Sequence, residues 1–301
     1  MSIDNHVRLG VSPLSWTNDV LEDLGGDTPL EQCLAEAAQA GYQGIELGRK
    51  FPRDPAVLGP LLQGYGLQLA SGWHSGRLAE QSVAEELEAV RPHARLLTAL
   101  GAPVMVYGEV GGMPGAAPLD EPLSLSPALN GIDGGQYARR VTEFARKLQE
   151  DYGLGLAYHY HLMMLVETWP EIEAFFSQTG EAVGMLLDTG HAVAAGARLP
   201  DIIARFGNRI NHIHLKDVRA EVLAQVRQTD DSFNDGVRLG MFTVPGDGSV
   251  DFAPVADFVR NSGYRGWLVV EAEQDPAKAP PLEAVSRASR FVKSLLETRQ
   301  A

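Results

Sequence analysis

Short apolar runs alternate with longer amphipathic stretches along most of the chain. Eight runs are short and rich in Val, Ile, Leu or aromatic residues, as strands buried on both faces should be. They are residues 9–12, 44–47, 67–71, 104–107, 155–159, 183–187, 210–215 and 267–271. The stretches between them carry helix-like patterning at 30–40, 55–63, 83–100, 137–152, 171–178, 199–206, 252–261 and 281–297. Asp27-Thr28-Pro29 supplies a capping side chain and an early proline at the first helix start. Glycines recur between helix and strand, at Gly41, Gly66, Gly101, Gly153 and Gly263, where the left-handed conformation that ends many helices is needed. Eight strands and eight helices in alternation predict an α/β protein, a single (β/α)8 TIM barrel over residues 1–301. A doubly wound open sheet fits less well, because neither a G-x-G-x-x-G turn nor a Walker A lysine loop is present.

Two stretches break the rhythm. Residues 108–135, rich in Gly, Pro and Ala, follow the fourth strand. Residues 217–243 follow the seventh and hold a short helix-like segment at 220–226. Both belong to the C-terminal face of a barrel, where long loops build active sites.

The polar residues at the strand ends suggest chemistry. The fifth strand ends in His159 and His161, which share a side by alternation. The sixth leads into Asp188 and His191, the seventh carries His212, His214 and Lys216, and the eighth carries Glu271 and Glu273. Adjacent strand ends bring these groups together in one mouth. Imidazoles and carboxylates crowded there are costly unless paired or coordinated. Such a mixed N/O set suits Mn²⁺, Co²⁺, Fe²⁺ or Zn²⁺ better than Mg²⁺ or Ca²⁺. The other strands add Glu46, Lys50, Trp73, His74 and Glu109 to the same face, and the first leads to Trp16. Trp16 and Trp73 are expected as walls against a ring substrate.

Charge and composition narrow the class. The 301 residues carry 25 Lys+Arg against 39 Asp+Glu, a formal charge of −14. That argues against a general binder of nucleic-acid phosphates. No run reaches the roughly 18 apolar residues of a spanning helix, and the opening MSIDNHVRLGVSP lacks an apolar signal core. The single cysteine, Cys33, can form no internal disulfide, which fits a reducing, cytoplasmic location. A small-molecule enzyme without membrane or nucleic-acid partners is expected, with homo-oligomerisation left open.

Longer segments carry a family resemblance. They are Gly10-Val-Ser-Pro-Leu-Ser-Trp-Thr-Asn-Asp19, Leu24-Gly-Gly-Asp-Thr-Pro29, Ser71-Gly-Trp-His-Ser-Gly76, Leu187-Asp-Thr-Gly-His191, His212-Ile-His-Leu-Lys-Asp-Val-Arg219, Phe242-Thr-Val-Pro-Gly-Asp-Gly248 and Gly266-Trp-Leu-Val-Val-Glu-Ala-Glu-Gln-Asp-Pro276. The chain resembles the inosose dehydratases of myo-inositol catabolism, within the xylose isomerase-like barrel superfamily. The resemblance implies metal-dependent loss of water from 2-keto-myo-inositol, giving a trihydroxycyclohexane-dione. It implies His159, Asp188, His214 and Glu271 as metal ligands, Mn²⁺ or Co²⁺ as the ion, and glutathione as an accompanying cofactor. Catalytic roles fall among Glu271, His191, Lys216, Glu109 and Glu273, and substrate contacts among Trp16, Lys50, Trp73, His74 and His161. His161 is followed by Leu162-Met163-Met164, where the family has Met-Gly-Thr, so a related cyclitol or keto-sugar substrate stays open. The alternatives are a ketose or cyclitol isomerase/epimerase on the same metal site, and a catalytically silent sugar-binding barrel.

Overall fold

A computed structural model describes residues 6–127 and 131–297. Eight parallel strands close into a barrel: β1 Val7–Val11, β2 Gly44–Leu47, β3 Gln68–Gly76, β4 Val104–Glu109, β5 Gly155–His159, β6 Val183–Asp188, β7 Ile210–Leu215 and β10 Gly266–Val270. Each neighbour follows in chain order, and β10 returns to pair with β1. Helices α1 Leu30–Gln39, α2 Pro55–Gly64, α3 Val83–Ala99, α4 Gly134–Tyr152, α5 Trp169–Gln178, α7 Leu199–Phe206, α10 Ala253–Asn261 and α11 Pro281–Glu297 follow the eight strands in turn. The α/β barrel expected from the alternation is the fold observed. No helix among the described residues is long and apolar enough to cross a membrane.

Further elements interrupt the pattern on the C-terminal side. Asp188 caps α6 Thr189–Ala194, its Oδ1 accepting from the His191 amide at 2.7 Å. After β7 come β8 Asp217–Val218, α8 Ala220–Thr229, α9 Phe233–Leu239 and β9 Phe242–Thr243, with β8 and β9 antiparallel. A reciprocal capping box between Ser232 and Asp235 starts α9.

Inside the barrel the floor is apolar. Trp267 is fully buried and clusters with Ala70 and Val269. Its ring needs the glycine facing it: a Cβ on Gly44 would lie 2.4 Å from the Trp267 ring and 2.9 Å from the Gln68 carbonyl oxygen. Val104, Val106, Ala157 and Leu186 form a second small apolar cluster. Above this plug the same inward-facing rows turn polar. On β7 the row is His212, His214 and Lys216, and beyond Trp267 and Val269 it continues into Glu271 and Glu273.

The plug carries a prediction. Trp267→Ala should cost about 3–5 kcal/mol of stability, read from the midpoint of urea unfolding. Gly44→Val should prevent accumulation of folded protein, since the floor has no space for the branched side chain.

Candidate active site

The polar ends of the inward rows meet at the mouth. His159 Nε2 lies 3.3 Å from Asp188 Oδ2, and His214 Nδ1 lies 3.6 Å from the same oxygen and 3.2 Å from Glu271 Oε2. All four side chains are buried. Glu46 on β2 holds His214 from behind: its Oε1 accepts from His214 Nε2 at 3.0 Å, His212 Nε2 at 2.9 Å and Ser71 Oγ at 2.5 Å. With Nε2 donating to Glu46, His214 presents Nδ1 to Asp188 and Glu271 as an ion-pair contact whose angles fall short of a hydrogen bond.

Burial works against every charge here, and the carboxylates decide the outcome. Burial lowers the pKa of His214, but Glu271 and Glu46 outweigh it and raise the value well above the ordinary imidazole range. Burial likewise pushes the Glu271 carboxyl upward, and His214 and Lys216 pull it below its usual range. Asp188 is held down against burial by Lys216 and His191. In His159 burial dominates and lowers the pKa, although Asp188 opposes it.

The donor set fits a divalent ion. His159, Asp188 and His214 converge, Glu271 lies 3.2 Å from His214 Nδ1, and that nitrogen faces both carboxylates without hydrogen-bond geometry to either. The trio Glu46, His212 and His214 is also compact, but its imidazoles already donate directly to Glu46. Glu46 holds His214 from outside, as carboxylates commonly do behind metal-binding imidazoles.

Above the quartet opens a cavity of about 720 Å³, whose lining includes His159, His161, His214, Glu271 and Glu273. Trp73 forms one wall, its ring 5.6 Å from His159 and 6.4 Å from His161 in edge-on arrangements. Gly108 makes room for it, since a Cβ there would lie 1.9 Å from the indole. Residues 110–120 and α9 supply further lining, so both long insertions reach the site as expected. They are joined: Asn234 Nδ2 donates to Asp120 Oδ1 at 2.7 Å, and Ser124 Oγ donates to Asp230 Oδ2 at 2.7 Å.

Seven expected site residues lie outside the cavity lining; Asp188, one of them, is buried beside His159 and His214. Trp16 is fully buried and donates through Nε1 to Glu36 Oε2 at 2.6 Å. The short 3-10 turn Pro13–Ser15 precedes it, and although Pro13, Leu14 and Asn18 line the cavity the indole itself is directed to α1. Lys50 donates to the Gly26 and Thr28 carbonyls at 2.5 and 2.6 Å, fastening the loop before α1. His74 pairs with Glu86 on α3, because an extra residue in β3 shifts its register against β2. A one-residue slip exchanges the faces, so Trp73 turns inward and His74 outward. Glu109 is buried beneath its loop, accepting from Tyr107 Oη at 2.8 Å, Gly111 N at 2.8 Å and Ala79 N at 3.2 Å. His191 and Lys216 sit below the cavity and hold its acidic residues. Lys216 Nζ lies 2.7 Å from Glu271, 2.8 Å from Glu273 and 2.9 Å from His191 Nε2.

The sequence reading missed Asn18, Phe233 and Asn234 in the lining. The Ser232-Phe-Asn-Asp235 capping signature was the available signal for the last two.

Comparison with known proteins places this geometry in context. The family model described as "Xylose isomerase-like TIM barrel" matches residues 34–295. The chain is 48% identical to the Rhizopine catabolism protein MocC of Rhizobium meliloti, over 92% of this chain and 84% of that protein. It is 39% identical to an Inosose dehydratase of Geobacillus thermodenitrificans, over 96% of this chain and 97% of that one. A solved xylose isomerase domain protein from Alicyclobacillus acidocaldarius superposes with a TM-score of 0.66 at 20% identity, covering 96% of this chain and 98% of that one.

Lys50 separates scaffold from site. Lys50→Met should lower stability by about 1–3 kcal/mol, the cost of leaving two carbonyls without their charged donor, and leave metal affinity unchanged. Thermal unfolding and metal titration of the variant check this; a variant of unaltered Tm and lost metal affinity would return Lys50 to the site.

Proposed function

The chain belongs to the xylose isomerase-like TIM barrel family, and from that premise we propose that it removes water from an inosose, a polyhydroxylated cyclohexanone, as a metal-dependent hydro-lyase. One observation carries the reading: 39% identity to an inosose dehydratase over nearly the whole chain coincides with buried convergence of His159, Asp188 and His214, with Glu271 3.2 Å from His214, beneath a cavity large enough for a six-membered ring. The four residues are assigned as ligands; their N/O set suits Mn²⁺, Co²⁺, Fe²⁺ or Zn²⁺, and the family resemblance implies Mn²⁺ or Co²⁺ among these. The chemistry supplied by a divalent ion here is Lewis acidity, which makes the C–H beside a ketone acidic.

The protein's own groups do the rest. Trp73 offers a flat apolar face to the ring. His161 is held neutral, since burial, reinforced by His159, pushes its pKa down to about 4. Its Nδ1–H donates to the Leu162 carbonyl at 2.5 Å, leaving Nε2 to accept from a substrate hydroxyl. Glu273 lines the cavity while its Oε1 is tied to Lys216 at 2.8 Å. It takes the proton from the ring carbon beside the ketone. The electron pair of that C–H bond becomes a C=C bond, the neighbouring C–O bond breaks, and Glu273 returns its proton to the departing hydroxyl. One water leaves, the carboxylate is regenerated, and the hydroxyl left on the new C=C bond tautomerises to the second ketone of the dione.

The buried free thiol of Cys33 suits the reducing cytoplasm. Glutathione, implied by resemblance alone, enters the test as an additive.

The metal-stripped and reloaded protein should convert inosose to the dehydrated dione only with a divalent ion, followed by chromatography and product mass. Glu273→Gln should lower kcat by about 10²-fold or more with metal affinity near that of the unsubstituted protein. Exchange of a ring stereocentre without loss of water would establish an epimerase instead. Binding without turnover under any of Mn²⁺, Co²⁺, Fe²⁺ or Zn²⁺ would establish a silent sugar-binding barrel.

A further inference from the structure

A second group of potential metal donors lies beside the first. His161, His191 and Glu273 are buried, and one donor atom from each lies within 4.8 Å of the others. Two imidazoles and a carboxylate would suit the same ions as the first site. A cation already stands among them. Lys216 Nζ donates to His191 Nε2 at 2.9 Å and to Glu273 Oε1 at 2.8 Å.

Glu271 links the two positions. Its Oε2 lies 3.2 Å from His214 Nδ1, on the side of the first ligand quartet, and its Oε1 lies 2.7 Å from Lys216 Nζ. A carboxylate with one oxygen toward each of two cations is the arrangement that bridges paired metals in two-metal centres. Here an ammonium stands at one of the two ends.

The ammonium is fixed in place. Lys216 N donates to Thr189 Oγ1 at 2.9 Å, and Thr189 Oγ1 donates to the Lys216 carbonyl at 2.6 Å. Gly190 packs on the aliphatic stem, where a Cβ would come within 2.5 Å of Lys216 Cγ. The Phe242 ring lies 4.8 Å from Nζ. The side chain is fully buried, so it has no solvated position into which it could withdraw for a metal ion.

We propose that Lys216 occupies the place of a second metal ion: the centre takes one divalent ion, and removal of the Lys216 ammonium opens a second metal site formed by His161, His191 and Glu273. The proposal rests on the reading of His159, Asp188, His214 and Glu271 as the first site. Lys216 is then a positioning residue. It supplies a permanent positive charge that orients Glu271 and Glu273, and like-charge repulsion keeps a further ion out.

The test counts bound ions in the full chain, stripped with chelator, reloaded with Co²⁺ alone and desalted. Elemental analysis gives the stoichiometry and the cobalt absorption spectrum gives the coordination. The unsubstituted protein should hold one ion per chain, Lys216→Met two, and Lys216→Met with Glu273→Gln one again. Two ions in the unsubstituted protein, or one in a folded Lys216→Met variant, would overturn the proposal and leave the first site standing. No ion in the unsubstituted protein would overturn both. Should Lys216→Met fail to fold by circular dichroism, Lys216→Gln, which also removes the ammonium, takes its place: two ions per chain support the proposal, and one ion in the folded variant overturns it.

Discussion

The mouth of the barrel buries more negative charge than it can neutralise by itself. Glu46, Asp188, Glu271 and Glu273 are all buried within a few residues of one another in space, and Lys216 is the lysine among them. Isolated charges in such a setting are strongly unfavourable. The imidazoles of His212 and His214 satisfy Glu46, and Lys216 satisfies Glu273 and one oxygen of Glu271. What remains is the inner edge of Asp188 and Glu271, facing His159 and Nδ1 of His214. A divalent cation held there would offset that residue of charge, and the surrounding hydrogen bonds already fix these side chains.

The fold makes this concentration tolerable by separating functions along the barrel axis. Trp267 and the small residues facing it close the lower end, so the charged rows above rest on an apolar floor. Above the charges, Trp73 and the joined insertions restrict the cavity. Substrate meets a rim that is partly apolar and a base that is polar, which suits a ring with one flat face and many hydroxyls. Family membership and the near-full-length dehydratase relatives give this arrangement its chemical direction, since the barrel alone hosts many reactions.

The barrel was legible because a two-sided buried strand has a strong signature. The segments at 44–47, 155–159 and 210–215 match the observed strands in full, and the C-terminal mouth follows from strand order. Side-chain destination was less legible. Trp73 and His74 are adjacent, and only the extra residue in β3 decides which enters the cavity. Lys50 and Trp16 lie close to the mouth in sequence, but a lysine stem reaches loop carbonyls as readily as a ligand, and the indole after the 3-10 turn is directed to α1. The short elements β8, α9 and β9 gave little periodicity, because segments of two to seven residues complete too few repeats. The Glu46 contacts with His212 and His214 join β2 to β7 across the barrel, which no local pattern encodes.

An anomalous-scattering map from crystals grown with saturating Mn²⁺ tests the central claim most directly. One strong peak should appear at the barrel mouth, enclosed by His159, Asp188, His214 and Glu271, with His214 approaching it through Nδ1 and retaining its Nε2 bond to Glu46. A mouth without a peak under saturating metal, or a peak enclosed by Glu46, His212 and His214 with the quartet unengaged, would contradict it.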